Sequence, residues 1–161
     1  MKNNKGFSLV ELIIVIAIMA ILVGVMAPQL IKYIEKSKVS ADTQLADSVH
    51  TAILTAMMDP EVVNNSKYNS SAVIATGQHD VTTLATSDIV GSAALEILGV
   101  TNASDLAKSL RSTKKGNATW AATDIKYEII GNNSLSVWIN DSDASGSKGN
   151  NTNTSTVIVV R

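Results

Sequence analysis

Apolar and polar positions alternate in three different ways along this chain. From Phe7 to Ile31 the only formal charge is Glu11. The run is apolar on every side, which suits a helix surrounded by lipid or by other helices rather than one lying on a soluble core. About 20 such residues cross the ~30 Å hydrocarbon core of a bilayer. Farther on, Ile31, Ile34, Leu45, Val49, Ala52, Ile53, Ala56 and Met57 recur at spacings of three and four. That period predicts an amphipathic helix, with Lys32, Glu35, Lys36, Asp42, Asp47 and His50 mostly on its polar side. Pro60 should stop it, because the residue before a proline is biased out of the helical region. A helix from Phe7 to Asp59 would reach ~80 Å at 1.5 Å per residue. Inside it, Pro28 lacks an N–H and its ring crowds the carbonyl of Gly24, which predicts a bend or local melting over 24–28.

After residue 60 the pattern changes. The stretch 61–78 is rich in Asn and Ser and reads as an irregular connector. Ser87 and Asp88 are placed to cap a short helix carrying Ile89, Ala93, Ala94, Ile97 and Leu98, with Gly99 as its stop. Ser104 is placed to cap a second, 105–112, burying Leu106 and Leu110. The period then becomes two: Ile125, Tyr127 and Ile129 alternate with Lys126 and Glu128, and Leu135, Val137 and Ile139 alternate with Ser136, Trp138 and Asn140. With the turn residues 131–134 between them, these form a hairpin. Residues 156–160 supply a third strand, and 118–122 are a candidate fourth. Three or more strands with one apolar face need a cover, and the helix after Leu45 provides it. The fold class is therefore α+β: a long N-terminal helix packed on a small antiparallel sheet. The divisions expected are 1–6 as a leader, 7–30 as the apolar half of the helix, 31–59 as its amphipathic half, and 60–161 as a globular head with short helices and three to four strands.

Composition excludes more than it assigns. The chain has 161 residues and no cysteine, so disulfides, Cys-type zinc sites and Cys nucleophiles are all absent. A net charge of −1 gives no footprint for sequence-specific nucleic-acid binding. His50 and His79 have no ligand-like spacing, no Gly-rich phosphate loop precedes a helix, and no nucleophile is grouped with a base. The sequence therefore reads as that of a non-enzyme without a cofactor. Trp120, Tyr127 and Trp138 read as sheet or core packing. One loop, 140–154, holds a D-x-D-x-S-G run made by Asp141, Asp143, Ser145 and Gly146. Alternating oxygen ligands with a glycine at the turn open a calcium loop. Its twelfth position is Thr152 rather than a bidentate Glu, and no acid follows Asp143. Asp141, Asp143 and Ser145 thus stand as a calcium candidate without its closing ligand, and the main reading is a surface loop.

The N-terminal run admits two membrane-related readings. A cleaved secretory signal would use Lys2 and Lys5 as its basic start and Val25-Met26-Ala27 as its cleavage site. Pro28 directly after that site and Glu11 within the apolar region speak against it. A retained membrane helix is the other. The distribution of basic residues leaves its orientation open, since Lys2 and Lys5 flank one end while Lys32, Lys36 and Lys38 flank the other.

The stretch KGFSLVELIIVIAIMAIL resembles the leader junction and helix start of type IV prepilins. The matching features are Lys5-Gly6, Phe7, Glu11, the uncharged run and Pro28, and they cover about residues 5–40. The resemblance implies cleavage after Gly6 by a prepilin peptidase and N-methylation of Phe7. It implies a homopolymer assembled through the apolar helix, with minor pilins, a platform protein and a motor ATPase as further partners. The chain would begin as a single-pass precursor in the cytoplasmic membrane and end in an extracellular pilus on the bacterial surface. Glu11 fits beside this on physical grounds. A carboxylate in a membrane segment is costly and seeks a partner, and the Phe7 amine of a neighbouring copy would supply one and set axial register. A pseudopilin of a type II secretion or DNA-uptake system is the alternative, since the same N-terminus would serve it.

Overall fold

The computed structural model describes residues 6–112, 119–130, 134–139 and 158–160. They divide between two compact units, 1–37 and 38–161. Helix α1, Leu9–Met58, begins in the first and ends in the second.

Within the second unit, α1 carries a buried stripe made by Ala46, Val49, Ala52, Ile53, Ala56 and Met57. The spacing of three and four foreseen from the sequence is therefore real from residue 42 onward. It does not begin at Ile31. Ile31 and Ile34 are 68% and 47% exposed and continue the apolar surface of the first unit. Pro60 does end α1, and it also opens α2, Pro60–Val63, where Asp59 accepts from the Glu61 N–H at 2.8 Å. A proline at the first helical position loses no hydrogen bond, since that N–H has no partner in any helix.

The head adds α3, Ile89–Leu98, and α4, Ser104–Lys108. Asp88 is the cap of α3. One of its oxygens accepts from the Val90 and Gly91 N–H groups and from the Ser71 hydroxyl, and the other from the Ala72 N–H. A single carboxylate thus ends a helix and fastens the connector before it. Gly99 closes α3 in the left-handed region, at φ 69°, where a side chain would be strained. The buried face of α3 is Val90, Gly91, Ala94 and Leu95 rather than the face through Ile97, which is 47% exposed. Gly91 sits so close to the 84–85 backbone that a Cβ there would lie 2.8 Å from the Ala85 nitrogen. α4 is shorter than the 105–112 expected, and Ser104 lies inside it rather than capping it. The cause is Asp42. Its carboxylate takes the Arg111 and Ser112 N–H groups at 2.7 and 2.9 Å, so those amides cannot continue a helix.

Four strands form one antiparallel sheet in the order β1-β2-β3-β4: Gly77–Asp80, Ile125–Ile130, Ser134–Ile139 and Ile158–Val160. The expected β2–β3 hairpin forms, in a register that sets Tyr127 opposite Val137. The fourth strand is a correction. It comes from 77–80, at the end of the stretch read as irregular, and pairs with β2 through Gly77 to Ile129 and Asp80 to Lys126. Gly-Gln-His-Asp has no apolar alternation, so nothing local marked it as a strand. The 118–122 candidate lies partly outside the described residues. Its described end leads into a 3-10 turn, Ala122–Asp124, because the Asp124 carboxylate folds back onto the Ala121 N–H at 2.7 Å.

The core joins the α1 stripe to Val73, Val81, Leu84, α3, α4 and the inward residues of β2 and β3. Every position of β3 from Leu135 to Ile139 is buried. Trp138, on the face opposite that core, is 1% exposed. The half-exposed strand implied by simple alternation is thus covered on both sides.

Candidate assembly site

The first unit displays what the second conceals. Every large apolar side chain from Phe7 to Ile34 is exposed in the single chain, from Val15 at 44% to Phe7 at 86%. Among the described residues, α1 is the one helix long and apolar enough to cross a membrane, and none of that apolar window is buried. Side chains of this kind each gain roughly 1.5–3 kcal/mol on burial. The single chain collects none of it here.

Glu11 stands in the first turn of α1. Its Oε2 accepts the Ser8 backbone N–H at 2.8 Å, and the Leu12 N–H reaches the Ser8 carbonyl at 3.2 Å. Ser8 is therefore the residue before the helix and Glu11 its third residue. This is the acidic half of an S-x-x-E capping box, in which the glutamate satisfies the N-cap amide. That signature was readable in Ser8-Leu9-Val10-Glu11 and was missed, because the charge drew notice only as an intruder in an apolar run. A carboxylate at this end of a helix also meets the positive end of the helix dipole. It has two oxygens and about four acceptor positions, so a cap on one oxygen leaves capacity for a further donor.

Gly6 and Phe7 precede the helix, and Phe7 is 86% exposed. Pro28 lies inside α1, which runs on through 24–28 without a break. The single chain thus stays helical at the place where the sequence expects a bend or local melting. A Cβ at Gly24 would meet nothing within 4 Å, so its glycine answers no close approach in the single chain. The residues expected for cleavage and methylation, Gly6 and Phe7, and those expected for assembly, Phe7, Glu11 and Pro28, are not gathered in a pocket: Gly6, Phe7 and Glu11 lie at or just before the start of α1 and Pro28 about five turns on.

An N-terminus of this kind is recognised as a unit. Residues 1–27 match the family of the prokaryotic N-terminal methylation motif. The type IV major fimbrial protein FimA of Dichelobacter nodosus is 30% identical over 146 residues, covering 78% of this chain and 91% of that one. The chain belongs to the type IV pilins. The type IV wide pilus major component PilA4 of Thermus thermophilus is 37% identical over 99 residues, 58% of this chain and 70% of that protein. A fimbrial protein of Moraxella nonliquefaciens is 46% identical over 55 residues, which is 34% of this chain and 36% of that one. Identity falls as the aligned length grows, so the pilin likeness is densest over a limited stretch. No solved structure matches the chain.

Elsewhere in this pilin, the sequence-expected sites fare differently. The calcium candidate Asp141, Asp143 and Ser145 lies outside the described residues. Among the described residues, no three His, Asp or Glu side chains group as metal ligands. His50 is not on a polar face. Its Nε2 lies 3.2 Å from the Leu135 carbonyl, bridging α1 to β3. His79 stacks on Tyr127, ring centroids 5.4 Å apart, with its Nε2 2.9 Å from the Ala75 carbonyl. Tyr127 is fully buried and shares a 2.6 Å hydrogen bond with the Thr83 hydroxyl. Burial pushes its hydroxyl up to about 12, with the Asp88 and Asp80 carboxylates adding to the rise and the Thr83 bond opposing it. Asp42, expected on the polar side, is fully buried. Two backbone N–H donors compensate a charge that would otherwise be costly there. These groups hold the head together, joining α1 to β3 and to 111–112 and β2 to the 3-10 turn at 81–83.

Proposed function

We propose that this pilin is a structural, non-catalytic subunit of a type IV pilus. It is made as a single-pass precursor in the cytoplasmic membrane, cut after Gly6, methylated on Phe7 and polymerised through the apolar half of α1 onto the bacterial surface. In this reading 1–6 is the leader, 7–30 the membrane and filament-core segment, 31–59 the amphipathic half of the helix, and 60–161 the head. The observation that carries it is an apolar helix half whose large side chains are all exposed, in a chain whose head has a hydrophobic core of its own. The relatives named as major fimbrial and major pilus components favour a pilus over the pseudopilin reading.

Peptidase, platform and motor would act on the precursor from outside this chain. Glu11 would release or share its Ser8 amide and pair with the Phe7 amine of a neighbour, in a water-poor bundle where such a pair is stronger than in water. Pro28 would mark where the helix yields on packing. The test is N-terminal sequencing and intact mass of filaments sheared from cells. A chain starting at methylated Phe7 is expected, and one starting at Pro28 would sink the reading.

A further inference from the structure

Just past the apolar run, Gln29, Lys32, Tyr33 and Lys36 line a shallow hollow of about 180 Å³ on α1. Lys32, Tyr33 and Lys36 are all exposed, Tyr33 at 67%. The Lys36 ammonium lies 6.0 Å from the Tyr33 ring centroid. Lysines at 32 and 36 are one turn apart and so share a face. We propose that this hollow is a headgroup site for an anionic phospholipid of the outer leaflet, which the membrane-held subunit occupies, before and after losing its leader, until it is drawn into the filament. The proposal rests on the membrane-precursor reading above and goes beyond it.

Depth is the first argument. At 1.5 Å per residue, Leu9 to Ile31 spans about 34 Å, close to the ~30 Å hydrocarbon core plus the start of the headgroup layer. With Phe7 at the cytoplasmic face, Lys32 and Tyr33 emerge among the headgroups on the far side. Tyrosine favours that level because its ring is apolar and its hydroxyl polar.

Charge is the second. Once Lys2 and Lys5 leave with the leader, no basic side chain remains before Lys32, while the stretch 32–38 holds the three lysines Lys32, Lys36 and Lys38 and one acid, Glu35. The basic charge then lies on the non-cytoplasmic side, against the usual bias. A phosphate of opposite sign in that layer offsets the arrangement. Ammonium groups bind phosphate as point charges, and the Gln29 amide adds a donor at the membrane side of the hollow.

The full chain is reconstituted in phosphatidylcholine vesicles doped with phosphatidylglycerol, and native mass spectrometry reads which lipid each chain retains. Wild type should retain phosphatidylglycerol preferentially. Each basic residue near a membrane surface changes binding about fivefold, so Lys32→Gln with Lys36→Gln should lose roughly 25-fold. Lys108→Gln, an exposed lysine of the head, should lose nothing. An alkaline wash reads membrane insertion separately. A wild-type chain that washes off refutes the membrane reading, whereas an inserted chain without lipid preference refutes only the headgroup site. Unchanged preference in the double variant also overturns it. If that variant keeps its preference yet makes no filaments, the two lysines serve a neighbouring subunit's carboxylates instead.

Discussion

One helix has two fates in this pilin. Before residue 38, α1 exposes every large apolar side chain it has; from Asp42 to Met57 it buries a stripe against the sheet and the short helices. Both halves are helical and both are rich in aliphatic residues, so propensity does not separate them. The difference lies in who supplies the cover. The second half carries polar residues between its apolar ones and is covered by its own chain. The first half is apolar all round, and a single neighbour could never cover it. Only lipid or several other helices can.

That contrast can be broken at either end. The largest effect is expected from Glu11→Ala. It should abolish sheared filaments while the full chain, in detergent, keeps the melting temperature of its head. Normal filaments would remove the register role, leaving Glu11 as a helix cap alone. In the head, Asp42→Ala strips the buried Ser112 N–H and the part-buried Arg111 N–H of their acceptor. It should cost about 3 kcal/mol in denaturant unfolding, since each such orphan costs ~1–3 kcal/mol. Membrane insertion should be untouched, and a loss of insertion would show the halves to be coupled.

Alkaline titration separates them by pH. The Tyr127 hydroxyl is pushed up to about 12 from 10.0, mainly by burial, so the folded head binds this proton more tightly than the unfolded chain. The stability it contributes is complete below about pH 10 and is lost as pH rises toward 12. Roughly 2–3 kcal/mol should disappear across that window, and Tyr127→Phe should flatten the slope. A slope unchanged in the variant would assign the loss to other groups. Smallest is Gly91→Ala, which drives a Cβ toward the 84–85 backbone. Overpacking of this kind costs about 1–3 kcal/mol, and the matching change Gly24→Ala, with open space around it, should leave the head's melting unaffected.

The fold class was legible because its signals are local and repetitive. Period 3.6 in α1, period 2 across β2 and β3, Asp88 and Gly99 at the ends of α3, and Pro60 after α1 each act through nearest neighbours. What escaped was non-local. β1 is four residues without alternation, recognisable only beside β2. Asp42 looked like a surface acid because helical spacing cannot show that the amides of residues 111 and 112 arrive there. His50 was misplaced for the same reason, its partner being a carbonyl 85 residues away. The Ser8–Glu11 cap was the exception, a local signal overlooked.

The sequence by itself determined the apolar start of α1 in this pilin: a helix of membrane length, one carboxylate at its head, a proline within it and a methylation-type motif over 1–27. Helical geometry and hydropathy suffice there, because the side chains of that apolar run are exposed in the single chain. Tertiary structure alone decided how the head closes: which acid is buried, which segment supplies the fourth strand, and that β3 is covered on both faces. A buried charge or a plain strand is stable only when distant backbone groups meet it, and one-dimensional spacing carries no information about which groups those are.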